Sequence, residues 1–283
     1  MSAKEIAIVT LDSKPCRTVL TRFAELPFGK QILNRLSQTR GVFATFDEGW
    51  SVARKARPAG HEHPSEIDVH LQFSKALRPS DYAVLYWLSK IAATEIRIFD
   101  FGGNVGNLYY SYSTYLEGTR SLDWTVVDLA SVVKAGERIA TERGATGLRF
   151  TRKLEDAAGC NVLLVSGALH YWEGSVQAFL EQFRQQPDHV IVNRTPVHNE
   201  QPSFITVQRT AECAFPCIVR NLAGMIEDFA VKGYAMVDRW QAIERSFRMP
   251  LFPERTVPYY SGFYFRREEA KVNVCSHLHP AAA

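Results

Sequence analysis

The stretch Ile96-Arg97-Ile98-Phe99-Asp100-Phe101-Gly102-Gly103-Asn104-Val105-Gly106 carries the clearest chemical signal in this sequence. An apolar run enters a glycine-rich turn, and the turn opens a helix. Glycine allows positive φ and close approach of backbone to a ligand, and a helix start offers peptide N–H groups without partners inside the helix. Asp100 stands directly before the turn, where a carboxylate repels a dinucleotide pyrophosphate and suits a ligand with a cationic amino-acid end. Asp128 closes the next apolar run, about 20 residues beyond the turn, at the position from which a carboxylate reaches a ribose diol.

Asp100, Gly102 and Asp128 together favour S-adenosylmethionine over a nicotinamide dinucleotide. The alternative is a structural turn with a helix-capping aspartate. Any proton acceptor for chemistry on such a ligand should project from the C-terminal ends of the neighbouring strands, where open α/β sheets bind their ligands. His170 lies just beyond one such strand, and an imidazole titrates at roughly 6.5. It acts there as a base or packs against the cofactor. Asn193 and Arg194 end the following strand. Arg194 clamps a carboxylate or phosphate of a substrate or pairs with a structural carboxylate. Tyr109, Tyr110, Tyr112 and Tyr115 crowd the helix after the turn, where packing against a sheet is their ordinary use.

These residues need a scaffold, and the pattern supplies one. Strands are predicted over Ile96–Phe101, Trp124–Asp128, Leu148–Phe150, Asn161–Ser166 and His189–Asn193. Helices are predicted between them over Asn107–Leu116, Ser131–Glu142 and Ser175–Arg184. Such alternation predicts βαβ units and a mostly parallel sheet covered on both faces. The stripe Val219, Leu222, Ile226 and Phe229 predicts a helix over Val219–Val231. Aromatic-rich strands follow over Tyr234–Trp240 and Tyr259–Arg266, around a loop at Gln241–Pro258.

Ahead of residue 95 the texture is helical, over Cys16–Leu26, Gly29–Gln38 and Glu48–Ala56. A loop follows at Arg57–Pro64, then a helix from Ser80-Asp81 to Ala93 with one of that pair as N-cap. The expected organisation is a helical N-terminal cap over residues 1–90, a cofactor domain over 91–268 and a flexible tail over 269–283. The cap, with Trp50, is placed to close over a substrate.

Composition narrows the class. Of the 283 residues 46% are hydrophobic and 22% charged, which argues against disorder. The formal charge of +3 is too small to argue for nucleic acid or an anionic membrane. Five irregularly spaced cysteines make a poor disulfide framework. No apolar run approaches the roughly 20 residues of a membrane span, and the N-terminal run is too short for a signal peptide. A cytoplasmic protein is expected. His61, His63 and His70, the pair Cys213 and Cys217, and Cys275 with His277 and His279 all lack a zinc spacing, so no metal is expected. Gly-x-Ser-x-Gly and Walker loops are absent.

Asp100-Phe101-Gly102-Gly103-Asn104-Val105-Gly106, Val127-Asp128-Leu129 and Val165-Ser166-Gly167-Ala168-Leu169-His170-Tyr171-Trp172 resemble class I S-adenosylmethionine-dependent methyltransferases. Within them, Gly41-Val42-Phe43, Asn193-Arg194-Thr195-Pro196 and Thr206-Val207-Gln208 are similar to a bacterial group without a settled substrate. The resemblance covers roughly residues 41–266. It implies a Rossmann-like seven-stranded sheet whose last strand is antiparallel, with the cofactor across the C-terminal strand edges. Asn104 departs from the pattern, standing where many such enzymes have glycine; asparagine tolerates left-handed backbone.

The resemblance further implies cofactor contacts at Asp100, Gly102, Gly103, Asn104, Gly106, Asp128, Leu129, Glu155 and Ser166, and substrate contacts at Tyr171, Asn193, Arg194 and Gln208. His170-Tyr171-Trp172-Glu173 is similar to the piece of caffeate-type plant O-methyltransferases that carries their general base, though those enzymes bracket it with glutamates and the next strand end here offers Asn193. The expected activity is methylation of a small molecule or glycan precursor, at oxygen, with His170 as base. The rival expectations are an inactive cofactor-binding scaffold and a nicotinamide-dependent oxidoreductase.

Overall fold

A computed structural model describes residues 39–56, 76–91, 96–116, 122–209, 213–249 and 252–268, with isolated positions 19, 22 and 26. The helix expected over Gly29–Gln38, the loop at Arg57–Pro64, His61, His63, His70 and the 269–283 tail lie outside the described residues. So does nearly all of the helix expected over Cys16–Leu26.

In chain order the elements are β1 (Thr39–Phe43), α1 (Phe46–Ala56), α2 (Asp81–Ile91), β2 (Ile96–Phe101), α3 (Asn107–Tyr112), β3 (Leu122–Val127), α4 (Ala130–Arg143), β4 (Leu148–Thr151) and β5 (Val162–Ser166). Then come α5 (Val176–Leu180), β6 (His189–Thr195), β7 (Val197–His198), β8 (Phe204–Arg209), β9 (Ala214–Asn221), α6 (Leu222–Val231), β10 (Tyr234–Ala242) and β11 (Tyr260–Arg267). The main sheet has seven strands in the order β10-β11-β6-β5-β2-β3-β4. Neighbours from β6 to β4 run parallel, and β11 runs antiparallel to both β6 and β10. The expected fold class, including its antiparallel last strand, is the one observed.

The central strands are apolar on both faces because helices cover both. Alternate side chains take opposite sides: Ile96, Ile98, Val162 and Leu164 face α2 and α3, whereas Phe99, Leu163 and Val165 face α5 and α6. On the second side Phe229 of α6 stacks on Phe265 of β11, with ring centroids 3.8 Å apart. Among the described residues no helix is long and apolar enough to cross a membrane.

Helix α2, on the N-terminal side of the expected boundary at residues 90/91, packs on the main sheet. Val84, Leu85 and Leu88 of α2 are buried with Ile96, Ile98 and Trp124. The textural change near residue 95 separates α2 from β2, whose side chains share one core. Likewise β1 and α1 join a second sheet, ordered β1-β8-β9-β7, built mostly from residues after β6. Strand β1 pairs antiparallel with β8, and Ala53 of α1 is buried with Val207 and Ala214. Trp50 packs on that small cluster.

One expectation needs correction: the helix expected from Val219 starts at Leu222. Phe215, Cys217 and Val219 are buried at strand period, so Val219 matched the helical stripe while belonging to β9. Asn221 ends the strand and caps the helix, its side chain accepting from the Gly224 N–H at 3.0 Å.

Because Phe229 and Phe265 are both enclosed, Phe229→Ala should lower unfolding free energy by about 3–5 kcal/mol. Urea denaturation monitored by circular dichroism reads this directly, and a loss under 1 kcal/mol would show that the stack is not integral to the core.

Candidate functional site

Register brings the candidate residues to one edge. Phe101 is level with Val127 on one side and Val165 on the other, and Ser166 is level with Asn193. Asp100, Asp128, Ser166, Asn193 and Arg194 therefore arrive at or next to the C-terminal ends of four adjacent parallel strands.

The glycine turn is shaped by what lies against it. Gly102 has φ +67, its N–H donates to the Val127 carbonyl at 2.9 Å, and a Cβ there would stand 2.5 Å from that of Ala168. A Cβ on Gly103 would collide with the Asp100 carboxylate. Gly106 has φ +84, with Leu148 where its Cβ would be. Asn104 takes φ +53, the left-handed backbone allowed to asparagine, and its side chain accepts from the Val105 N–H at 2.8 Å.

Asp100 is 1% exposed. Its Oδ2 accepts from the Trp124 indole N–H at 3.1 Å, and its Oδ1 is buried with no hydrogen-bond partner. Burial pushes its carboxyl up to about 7; the neighbouring Asp128 pushes the same way, while the Trp124 bond and Arg194 oppose the rise. Asp128 braces the turn: Oδ2 accepts from the Asn104 N–H at 2.9 Å and Oδ1 from the Leu129 N–H at 2.7 Å. Burial raises its carboxyl and these two bonds resist. Leu129 is 43% exposed at the start of α4, and Glu155 is exposed on the short turn Leu154–Ala157 after β4.

Beyond β5, the turn Leu169–Tyr171 carries His170, which is 3% exposed. Its ring lies 4.1 Å from that of Tyr171 and 5.9 Å from that of Tyr260. The Tyr171 hydroxyl donates to Gln208 Oε1 at 2.8 Å, so the second sheet meets the main one beside His170. Two of the four expected substrate residues are thus together.

The other two belong to a buried polar network. Arg194, at φ +52, donates to Asp81 Oδ1 at 2.7 Å and to Ser166 Oγ at 2.8 Å. Tyr112 donates to the same Asp81 oxygen, and Asp81 Oδ2 accepts from the Arg78 N–H at 2.8 Å. Asn193, fully buried, donates to Ser80 Oγ at 3.3 Å and accepts from the Trp240 indole at 3.0 Å; Ser80 in turn donates to Glu244. Of the two readings of Arg194, the geometry shows the paired one. Sequence reasoning missed Asp81, Trp124, Tyr112 and Glu244. Asp81 had one signal, a cap carboxylate opening α2, but nothing in the sequence ties it to a residue 113 positions away.

No family model matches the sequence, and no curated protein matches it. Solved structures do match. The 1,6-didemethyltoxoflavin-N1-methyltransferase of Burkholderia thailandensis, solved with 1,6-didemethyltoxoflavin and S-adenosylhomocysteine, is 14% identical at a TM-score of 0.51, over 82% of this chain and 95% of that one. Magnesium protoporphyrin IX methyltransferase of Synechocystis PCC 6803, solved with S-adenosylmethionine, is 14% identical at a TM-score of 0.45, over 89% and 97%. The first of these fixes the likeness at the level of fold: the chain has the Rossmann-like architecture of class I methyltransferases.

The raised Asp100 carboxyl makes a stability prediction. An unfolded aspartate ionises near 3.9, so between about pH 4 and 7 the folded state holds a proton that the unfolded state has released. Stability must fall across that window as pH rises. Asp100→Asn removes the cost and should be the more stable protein at pH 8, by on the order of 4 kcal/mol, with the gap closing below pH 4. Melting curves at pH 4 and 8 test it; a variant less stable at pH 8 would mean that Asp100 is well paired as an anion.

Proposed function

We propose that this chain is an S-adenosylmethionine-dependent methyltransferase acting on a small molecule or glycan precursor, with transfer to oxygen. The observation that carries the reading is Asp100: a carboxylate enclosed at the mouth of a glycine turn, with one oxygen lacking any partner. Such an atom is costly to bury and is relieved by a cationic donor. The amino group of S-adenosylmethionine is one. The bound methyltransferase ligands named for the solved structures of this fold support the same choice.

When bound, the cofactor supplies an electrophilic methyl carbon on a sulfonium. The chain's own residues divide the remaining work. Asp100 takes the amino group, and Gly102, Gly103, Asn104 and Gly106 hold their peptide backbone close with no Cβ at the tightest points. Asp128 is the proposed ribose partner, with Leu129 and Glu155 toward the base and Ser166 at the β5 edge. Tyr171 and Gln208, bonded to each other and partly buried, are proposed to meet the substrate. His170 beside them is proposed to take the hydroxyl proton at a ring nitrogen. A cytoplasmic setting is part of the same proposal.

Isothermal titration with S-adenosylmethionine, S-adenosylhomocysteine and NAD tests the cofactor. Both adenosyl ligands should bind, and Asp128→Ala should weaken them by tenfold or more, the loss of a hydrogen-bonded carboxylate costing about 1.5–3 kcal/mol. Binding of NAD alone would overturn the reading.

Once an acceptor is found, His170→Gln should lower kcat about 100-fold or more with unchanged S-adenosylhomocysteine affinity. Unchanged kcat would remove His170 as base. Cofactor binding without turnover on any acceptor would favour a scaffold.

A further inference from the structure

The turn that carries His170 is held by side chains from elsewhere in the chain. Residues 168–173 lie between Gly167 and Gly174, both at positive φ (+79 and +107). Within them the Tyr171 N–H donates to the Ala168 carbonyl at 2.9 Å and the Trp172 N–H to the Leu169 carbonyl at 3.2 Å. These bonds close one turn around His170. A glycine at each end leaves the direction of that turn to whatever touches it. Three residues of the second sheet do. Gln208 of β8 accepts from the Tyr171 hydroxyl, and Phe215 of β9 meets the Tyr171 ring edge-on at 5.1 Å. Arg220 of β9 takes the main chain itself. Its two terminal nitrogens donate to the Trp172 carbonyl at 3.0 Å and to the Gly174 carbonyl at 2.7 Å.

Arg220 is 5% exposed. Enclosing a guanidinium is costly, and an ion pair is the usual compensation. Among the described residues no carboxylate pairs with it at contact distance. Asp228 favours the charge from further off, while its Oδ2 accepts from the Val176 N–H at 2.9 Å, just beyond Gly174. A buried full charge is therefore used on two carbonyls of a connecting loop. A planar fork engaged at both ends fixes direction as well as distance, which a single ammonium does not. Trp172, whose N–H closes the His170 turn, is gripped by its carbonyl, so the guanidinium holds that turn at its exit.

We propose that Arg220 is a positioning residue: by clamping Trp172 and Gly174 to β9, it sets where His170 and Tyr171 stand relative to Gln208. The inference rests on the proposed role of His170 as proton acceptor. Arg220 touches neither cofactor nor substrate in this scheme and acts only through the turn.

Histidine ring resonances of carbon-13-labelled protein test it without an acceptor, the His170 signal being assigned by its loss in His170→Gln. Arg220→Met removes the clamp, and Arg220→Lys keeps a charge that holds one carbonyl at most. Thermal melts check both folds, and Val84→Ala, in α2 on the opposite face of the main sheet, controls for lost stability. The His170 signal should shift in both Arg220 variants, further in Arg220→Met, and stay in place in Val84→Ala. S-adenosylhomocysteine affinity should not change, because the glycine turn and Asp128 are untouched. With an acceptor in hand, Arg220→Met should lower kcat by up to about 100-fold, the effect of displacing a reacting group by about 1 Å. Added to His170→Gln it should cost nothing further, because the group it positions is already gone.

A His170 signal that stays in place in folded Arg220→Lys overturns the inference. So does a kcat loss of equal size with and without His170, the mark of a purely structural role, or failure of both Arg220 variants to melt cooperatively. Failure of the underlying reading looks different. Wild type that binds no S-adenosylhomocysteine, or His170→Gln with unchanged kcat, removes the base and with it the role given to Arg220, whatever the histidine signal does.

Discussion

The constraint on which the rest of this structure turns is the burial of Asp100. An aspartate enclosed to 1% exposure loses the hydration that stabilises its charge. The fold answers with one indole hydrogen bond, one guanidinium at a distance and a glycine where any side chain would strike the carboxylate. Each answer fixes something else. The indole sets where β3 and α3 meet, the guanidinium holds α2 against the strand ends, and the glycine dictates the turn. Asp128 completes the frame by bonding the turn's backbone, so two carboxylates of neighbouring strands shape one loop.

The main sheet and the second sheet play different parts. The main sheet is a rigid base, buried on both faces, whose parallel strands carry their C-terminal residues to a common level. The second sheet is inserted after β6 and gathers the earliest described strand to itself through the β1–β8 pairing. Its contact with the main edge is specific, a tyrosine hydroxyl on a glutamine, with a histidine ring tilted against the tyrosine. The walls of the candidate site therefore come from chain segments on either side of the parallel core strands.

Much of the main sheet was legible because its signals are local. Ile96–Phe101 is predicted and found with the same limits, and the glycine turn, Asp100 and Asp128 declare themselves by position along consecutive elements. The second sheet was not legible. Neither β8 nor β9 alternates regularly between buried and exposed residues, β9 carries a proline at 216, and Val219 fits strand and helix periods alike. A helix that packs on a sheet has the same amphipathic pattern as one that caps it, so the sequence pattern of α2 does not tell that it is buried against Ile96, Ile98 and Trp124. The Asp81–Arg194 pair lay beyond reach for a different reason: long-range electrostatic pairing leaves no periodicity, and a capping aspartate looks the same whether its partner is water or a buried arginine.

The strand order also governs how the chain assembles. Strand β11 follows β10 in sequence yet sits between β10 and β6. Until β11 emerges from the ribosome, β6 presents an open, apolar edge and β10 has nothing to pair with. The earlier parallel strands can collapse with their helices during synthesis, but the sheet becomes whole only when a later hairpin wedges its second strand into the gap. Such an edge is a place where another strand can add, so the interval between translation of β6 and of β11 is when a nascent chain is most exposed to misassembly.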